Sequence, residues 1–196
     1  TENKFEGSID PGKMIFSLKK KLGSLSVDCY FSTEVESFEE TSKKIYLKLK
    51  SSNQSIDIKT NKLVICTNAF AKKWFDMEDI SPGRGFILLT NKIPDLKING
   101  CFHYNGGYYY FRNIGNRLLL GGGREIDIKN ETTYSFGINN RIRQKLIEDL
   151  KRFIVPNKDF HIKSEWSGIM GFGQNKLPLI KKFSENISLG VRLGGM

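Results

Sequence analysis

The chain has 196 residues, of which 39% are hydrophobic and 27% charged, and its formal net charge is +10. These values are typical of a globular protein with a substantial core, and they exclude an intrinsically disordered chain. No apolar run approaches the roughly 20 residues of a membrane span, and the polar N-terminus does not resemble a signal peptide. Three cysteines without a CxxC spacing predict reduced thiols in the cytoplasm, and two isolated histidines predict no metal site.

The positive charge leaves two interpretations open. The lysines are scattered, most of them alternate with apolar residues, and the longest basic run is Lys19–Lys21. This pattern favours a solvated basic surface, although a positive charge also suits the binding of nucleic acid. Nucleic acid is therefore an open but not a favoured partner, and the composition indicates no oligomeric state.

The N-terminal part predicts a helix followed by a small antiparallel meander. Asp10 and Pro11 are typical of a helix start, and Gly23 is a natural terminator. Apolar residues at helical spacing between them predict one buried face, formed by Met14, Ile15, Leu18 and Leu22. Short strands separated by polar turns are predicted next, at residues 27–32, 35–39, 44–50 and 55–59.

A different kind of strand is predicted at residues 63–66, where Leu-Val-Ile-Cys forms a continuous apolar run. Such a run is typical of a strand that is covered on both faces. The run ends at Thr67, Asn68 and Ala69, and ligands of open α/β sheets bind beyond the carboxyl ends of such strands. An ordinary buried strand without a ligand is the alternative interpretation.

The centre of the chain predicts a tight turn between two strands. Residues 105–107, Asn-Gly-Gly, are a turn signal because these residue types tolerate positive φ. In the strand that follows, Tyr108 and Tyr110 are predicted to face one side and Tyr109 the other. The three glycines at 121–123 permit the close approach of another backbone or of a flat ligand. A half-buried antiparallel sheet with tyrosine tips in water is the alternative.

The rest of the chain is predicted to contain further strands, one loop and one helix. Apolar alternation predicts strands at residues 86–90, 160–166, 177–180 and 187–193. Residues 127–136 are expected to form a loop, and residues 139–154 a helix whose apolar face contains Ile142, Leu146, Leu150 and Ile154. Because the last strand runs directly into two glycines, we expect the chain to be a piece of a longer protein.

Several segments together resemble a known family. In chain order they are SIDPGKMIFSLKKKLGSL, LVICTNAF, PGRGFIL, GYYYFRNIGNRLLLGGGRE, EWSGIMGFGQNKLPLI and GVRLGGM. This order resembles the middle and C-terminal half of the D-amino-acid oxidase/glycine oxidase superfamily of FAD-dependent oxidoreductases. The GxGxxG pyrophosphate loop of that family does not occur in the sequence, and we expect it upstream of Thr1.

The resemblance implies a mixed α/β fold and FAD as the cofactor. It implies an FAD-binding part that includes the small antiparallel meander, and a substrate domain built on an antiparallel sheet. The implied boundaries are residues 1–80 for the first part of the FAD-binding domain, 81–165 for the substrate domain and 166–196 for the return to the FAD-binding domain. The apolar runs at 63–66 and 187–193 should then lie in one sheet.

The resemblance also implies site residues, position by position. Tyr108 corresponds to a tyrosine that meets the substrate, and it is the implied catalytic residue. Met170 stands where the family's WxGxRP stretch has a carboxylate-binding arginine, and Asn68 stands where a glycine is usual; Tyr108 and Met170 are expected to line one pocket. The implied substrate-binding residues are Tyr108, Tyr110, Met170, Arg84 and Arg112, with Arg124 as a further candidate for an anionic group. The implied cofactor-binding residues are Thr67, Asn68, Ala69, Gly168, Leu193, Gly194 and Gly195.

The implied function is oxidation of a small amine or amino-acid-like substrate by hydride transfer to the flavin. Because methionine cannot form the bidentate pair that a carboxylate favours, a plain α-amino acid requires another arginine in place of the missing one. Two alternatives stay open. The first is a flavoprotein that acts on a modified nucleoside in RNA, which the basic charge suits. The second is a non-catalytic β-rich binding module whose glycines serve only turns, and flavin absorbance of the purified protein distinguishes it from the two flavoproteins.

Overall fold

The computed structural model describes residues 3, 5, 7–77 and 79–194. The chain forms two compact units: residues 1–65 with 180–189, and residues 66–179 with 190–196. Both units combine helix and antiparallel strands, which confirms the mixed α/β class. The division into cofactor and substrate domains stays a prediction, because it concerns what each part binds.

In the part of the first unit that the structure describes, there are one helix and two three-stranded sheets. The helix is α1 (Pro11–Ser24), and the strands are β1 (Thr33–Glu40), β2 (Ile45–Ser51), β3 (Gln54–Thr60) and β4 (Leu63–Ile65). Strands β1, β2 and β3 pair in that order as an antiparallel meander, as predicted. The strand predicted at residues 27–32 does not form, because Ser26 (φ 57°) and Ser32 (φ 54°) lie in the left-handed region and interrupt an extended course.

The helix α1 begins as its sequence predicts. The Asp10 side chain accepts a hydrogen bond from the backbone N–H of Lys13 at 3.0 Å, and Pro11 occupies the first turn. The expectation of a buried face is wrong for the described structure, since Ile15 and Leu18 are each 51% exposed. Helical spacing of apolar residues predicts which face is apolar, but it does not identify an element that covers that face.

The second sheet of the first unit confirms one long-range prediction. Two later strands, β10 (Leu179–Lys182) and β11 (Ile187–Val191), join β4 in the order β10-β11-β4. Strand β11 runs parallel to β4, so the two apolar runs lie in one sheet. Coverage of both faces of β4 was the wrong expectation, because Ile65 is buried whereas Val64 is 64% exposed.

The second unit is built on a five-stranded antiparallel sheet. Its strands are β5 (Ser81–Thr90), β6 (Cys101–Tyr104), β7 (Tyr109–Ile114), β8 (Arg117–Gly122) and β9 (Ile162–Phe172), in the order β6-β7-β8-β5-β9. Its helices are α2 (Ile128–Glu131) and α3 (Asn140–Asp149), with 3-10 turns at Asn68–Lys73 and Arg124–Asp127. The predicted helix therefore forms, although its end at Leu150–Ile154 is π-helical. The predicted loop at residues 127–136 is wrong in part, because α2 lies within it.

One face of this sheet is covered by α3. The apolar residues of the helix pack on alternate sheet residues to form the main core, which includes Phe86, Leu88, Leu118, Leu120, Ile142, Leu146 and Leu150. Asn139 fixes the start of α3 by accepting a hydrogen bond from the Arg141 backbone N–H at 3.1 Å. This face is the helix face of the sheet.

The opposite face carries the glycines, because directly opposed residues of paired strands share a face. Ile87 pairs with Gly121 on one side and with Trp166 on the other, and Tyr110 pairs with Gly121. The face therefore contains Gly83, Gly85, Gly121 and Gly168, with Tyr110, Met170 and Phe172. We call it the glycine face.

The turn before β7 changes the predicted arrangement of the tyrosines. All three residues at 105–107 have positive φ, which confirms the predicted turn. Tyr108 belongs to the end of this turn (φ −67°, ψ −21°) and precedes the strand, so its predicted strand alternation with Tyr110 is wrong. Tyr109 is buried on the helix face and Tyr110 lies on the glycine face, as the alternation predicts.

Candidate active site

The glycine face is a shallow floor on which two side chains lie flat. A Cβ atom added to Gly121 would lie 2.7 Å from the Tyr110 ring, and one added to Gly85 would lie 2.6 Å from the Met170 Cε. A Cβ atom added to Gly168 would meet nothing within 4 Å. The floor is therefore occupied by Tyr110 and Met170 at two of its glycines and open at Gly168. Burial raises the pKa of Tyr110, so its phenol stays neutral.

An aromatic ring and a guanidinium cover the end of the floor where β5 begins. A Cβ atom added to Gly83 would lie 2.2 Å from Cε2 of Phe172 and 3.0 Å from Nε of Arg124. The Arg124 Cζ lies 4.5 Å from the centroid of the Phe172 ring, which is a cation–π contact. Arg124 also donates a hydrogen bond from Nη2 to the Thr132 Oγ1 at 3.2 Å. These contacts hold the guanidinium beside the glycine face.

Tyr108 is 54% exposed, and its backbone contacts Gly123, the residue that precedes Arg124. Burial lowers the pKa of Arg124, while the charge of Glu131 acts in the opposite direction. The Tyr108 carbonyl accepts a hydrogen bond from the Gly123 N–H at 3.1 Å. The Tyr108 backbone, the Arg124 guanidinium and the Phe172 ring thus lie at one end of the glycine face.

Arg84 does not lie on the glycine face. It pairs opposite Ile169, one residue out of phase with Met170, and so it projects from the helix face. Its guanidinium donates from Nε and Nη2 to the two carboxylate oxygens of Glu131, each at 2.8 Å, and from Nη1 to the Ser135 carbonyl at 3.2 Å. The hydrogen bond to Glu131 raises the pKa of Arg84. The structure therefore does not bring Arg84 together with Met170.

Arg112 lies on the glycine face, two residues beyond Tyr110 along β7. It is paired opposite Leu119 on one side and Cys101 on the other, and it is partly buried. Arg112 is thus on the predicted side of the sheet. The register of the strands puts it further from Met170 than Tyr110 is.

The predicted cofactor residues meet at the far end of β9. Asn68 has a positive φ of 50°, which asparagine tolerates in place of the glycine usual in the family's motif. Its amide accepts a hydrogen bond from the Leu193 N–H at 2.8 Å and donates to the Leu193 carbonyl at 2.9 Å. A Cβ atom added to Gly194 would lie 3.6 Å from the Gly171 carbonyl and 3.8 Å from the Phe172 ring. Asn68, Leu193 and Gly194 therefore lie at the Phe172 end of the glycine face.

The neighbours of Asn68 in the predicted motif have different surroundings. Thr67 is exposed, whereas Ala69 is buried and its carbonyl accepts a hydrogen bond from the Tyr134 hydroxyl at 3.3 Å. Gly195 lies outside the described residues.

The sequence did not indicate two residues that shape this region. Phe172 could have been found, because it continues the alternation of Gly168 and Met170 along one strand. Arg192 could not, because its partners come from distant parts of the chain. It is 6% exposed, and it donates to the Leu177 carbonyl, the Asn175 side chain and the Asp79 carboxylate. Arg192 anchors the segment that leads to Gly194.

Two features are absent from the described residues. No group of three or more His, Cys, Asp or Glu side chains among the described residues is arranged to hold a metal ion. Within the same residues, no helix has both the length and the apolar character needed to cross a membrane.

Comparison with solved structures finds the same fold in a dehydrogenase and two oxidases. The chain is similar to L-proline dehydrogenase from P. horikoshii at 19% identity with a TM-score of 0.68, covering 95% of this chain and 50% of that one. It is similar to iminodiacetate oxidase (IdaA) from Chelativorans sp. BNC1 at 13% identity with a TM-score of 0.70, covering 93% and 49%. Glycine oxidase from Geobacillus kaustophilus matches at 17% identity with a TM-score of 0.66, covering 91% and 48%. The chain thus spans about half the length of these structures.

Comparison with family models identifies the family itself. No curated protein sequence matches the chain. The model of the family DAO, described as FAD dependent oxidoreductase, matches residues 3–195. This match covers nearly the whole chain, and it agrees with the fold and with the order of the sequence motifs. The chain therefore belongs to the DAO family of FAD-dependent oxidoreductases, the D-amino-acid oxidase/glycine oxidase superfamily.

Proposed function

We propose that the protein oxidises a small amine or amino-acid-like substrate, using FAD that binds against the glycine face. The observation that supports this most strongly is the open floor at Gly168, which pairs with Gly85 and lies two residues before Met170 on the same face of β9. A flat ring can approach a strand backbone closely only where side chains are missing. The names of the similar solved structures, a proline dehydrogenase and two oxidases of amino compounds, support the same substrate class.

The residues at this end of the sheet fit the ring of FAD. Gly168 leaves space above the strand, and Gly194 is kept beside Phe172 by the Asn68 bridge to Leu193. Thr67 and Ala69 flank Asn68 and complete the proposed cofactor-binding set. Bound FAD supplies a hydride acceptor for the carbon that carries the amine.

The side chains of this chain then position the substrate and exclude water. Tyr108 presents a phenol that can exchange hydrogen bonds with a polar group of the substrate. Met170 and Tyr110 form an apolar wall, and Phe172 closes the end of the floor. Orientation and desolvation are the contributions expected of the protein when the cofactor performs the chemistry.

Replacing Tyr108 with phenylalanine tests the proposed substrate contact. We expect kcat/KM for the best amine substrate to fall about 2- to 12-fold, because one hydrogen bond of about 0.5–1.5 kcal/mol is lost. Initial rates of amine oxidation by the FAD-loaded protein measure this change. Tyr46→Phe is the matched control, since Tyr46 is 46% exposed on the meander and should leave the rate unchanged. Equal rates for Tyr108→Phe and the control would remove Tyr108 from the site.

The net charge of +10 favours a second candidate, a flavoprotein that acts on a modified nucleoside in RNA. This candidate requires RNA binding whose affinity falls steeply with salt. Binding titrations with RNA at two salt concentrations separate the two candidates. Amine oxidation without RNA affinity supports the first, and salt-dependent RNA binding without amine oxidation supports the second.

A further inference from the structure

Two arginines of the second unit lie near Glu131, and only one of them is neutralised by it. The Glu131 carboxylate accepts two hydrogen bonds from Arg84 and one from the Asn139 Nδ2 at 2.8 Å. No carboxylate among the described residues lies within 4.0 Å of a nitrogen of Arg124. Arg124 therefore keeps a charge that the described residues do not pair.

The surroundings of Arg124 make this charge unusual. Its Nε is buried and has no hydrogen-bond partner among the described residues. One face of its guanidinium rests on the Phe172 ring, and Nη2 donates to the Thr132 hydroxyl, which is a neutral acceptor. A buried donor that is left without an acceptor costs free energy, so such groups in native proteins are normally satisfied by a partner, a water or a ligand. The Nε–H of Arg124 is thus a donor left for an incoming acceptor.

We propose that Arg124 binds the carboxylate of the substrate, a role that rests on the proposed function. The guanidinium offers a fork that matches a carboxylate, and its cation–π contact with Phe172 holds it beside the glycine face. Arg124 follows Gly123, whose N–H is hydrogen-bonded to the Tyr108 carbonyl, and its Nε approaches Gly83 at the end of the glycine face. The substrate is then a carboxylate-bearing amine that is held at the β5 start, with its apolar part toward Met170. This makes Arg124 the replacement for the arginine that the family has at the position of Met170.

The test measures carboxylate binding without any turnover. Acetate, propanoate, butanoate and benzoate, each with its neutral amide, are titrated into the FAD-loaded protein and followed by calorimetry and flavin absorbance. We expect at least one carboxylate to bind more tightly than its amide. In Arg124→Met that carboxylate should bind about 10- to 100-fold more weakly, as expected for a lost hydrogen bond to a charged group, and the amide should be unaffected.

Two further variants serve as controls. One separates the effect of the bidentate fork from that of the charge, and the other tests the loss of an arginine outside the site. Arg124→Lys keeps the positive charge without the bidentate fork. It should bind the carboxylate more weakly than the unchanged protein does and more tightly than Arg124→Met does. Arg152→Met removes an exposed arginine from the π-helical turn and should bind it like the unchanged protein. If Arg124→Met does not fold, the comparison of Arg124→Lys with Arg152→Met decides the question.

Failure of this proposal is distinguishable from failure of the proposed function. Arg124 variants that bind the carboxylate as the unchanged protein does, or carboxylates that bind no better than their amides, overturn the role of Arg124, whether or not amines are oxidised. Loss of carboxylate binding in Arg124→Met establishes the anion site. If no amine is oxidised in that case, the proposed function fails instead.

Discussion

Replacing Gly122 with alanine is expected to lower the free energy of unfolding by at least about 3 kcal/mol. Gly122 has a φ of 114°, which an L-residue rarely adopts, and an added Cβ atom would lie 2.0 Å from the Tyr108 carbonyl oxygen. The same atom would lie 2.8 Å from the Cα atom of Tyr109. Both contacts are to backbone, so no side-chain rotation relieves them. The strand end must move, and Tyr108 moves with it.

Gly115→Ala is the matched control for this substitution. Gly115 also has a positive φ, 55°, but an added Cβ atom would meet nothing within 4 Å. The free energy of unfolding of Gly115→Ala should therefore fall only by the intrinsic cost of the left-handed conformation, about 1 kcal/mol. Urea denaturation of both variants measures the difference, which reports the backbone clash together with the greater strain of an L-residue at a φ of 114° than at 55°. Equal losses in the two variants would show that the turn at Tyr108 adapts freely.

Replacing Glu131 with alanine is expected to lower the free energy of unfolding by about 3–5 kcal/mol. The Glu131 side chain is 1% exposed and that of its partner Arg84 is 14% exposed, so the substitution leaves a largely buried guanidinium without its counterion. Thermal or urea denaturation measures the loss. Glu36→Ala is the control, because Glu36 and Lys50 form an exposed pair at 4.0 Å that contributes less than about 1 kcal/mol. A loss at Glu131 no larger than at Glu36 would contradict this role.

The same pair predicts how stability depends on pH. Burial raises the pKa of Glu131, but hydrogen bonds from Arg84 and Asn139 and the Arg84 charge lower it more, so its net shift is downward. A carboxyl whose folded pKa is below its unfolded value of about 4.3 stabilises the fold above that pH. The contribution is lost as the pH falls through the folded pKa. As the pH falls through this acidic range, the free energy of unfolding of Glu131→Gln should therefore decrease less steeply than that of the unchanged protein.

Local signals in the sequence predicted most of the secondary structure. Asp10 and Asn139 each start a helix by accepting a hydrogen bond from a nearby backbone N–H, and a cap of this kind needs only neighbouring residues. The Asn-Gly-Gly turn at 105–107 and the alternation of Tyr109 and Tyr110 are equally local. Tyr108 shows the limit of this reasoning. It belongs to the end of the turn, and the alternation of the strand begins only after it.

The site depended on contacts that sequence patterns do not contain. Arg84 meets Glu131 across 47 positions, and Asn68 meets Leu193 across 125. A strand pattern predicts that Arg84 and Met170 occupy neighbouring strands, but the one-residue difference in register puts them on opposite faces. Acceptors from three other positions hold Arg192, and no local pattern predicts them because they are distant in the sequence.

Whether the glycine face receives the flavin ring is tested most directly by the FAD content of a Gly168→Leu variant. Gly168 is exposed and an added Cβ atom meets nothing within 4 Å, so a side chain can leave the strand here without a clash at its Cβ atom. We expect the variant to unfold at the same temperature as the unchanged protein but to bind FAD at least about 10-fold more weakly, since about 1.4 kcal/mol of ring contact is lost. Ser164→Leu, an exposed position on the same face of the same strand, should keep its FAD. A folded Gly168→Leu protein that retains FAD as tightly as Ser164→Leu would contradict a flavin site on the glycine face.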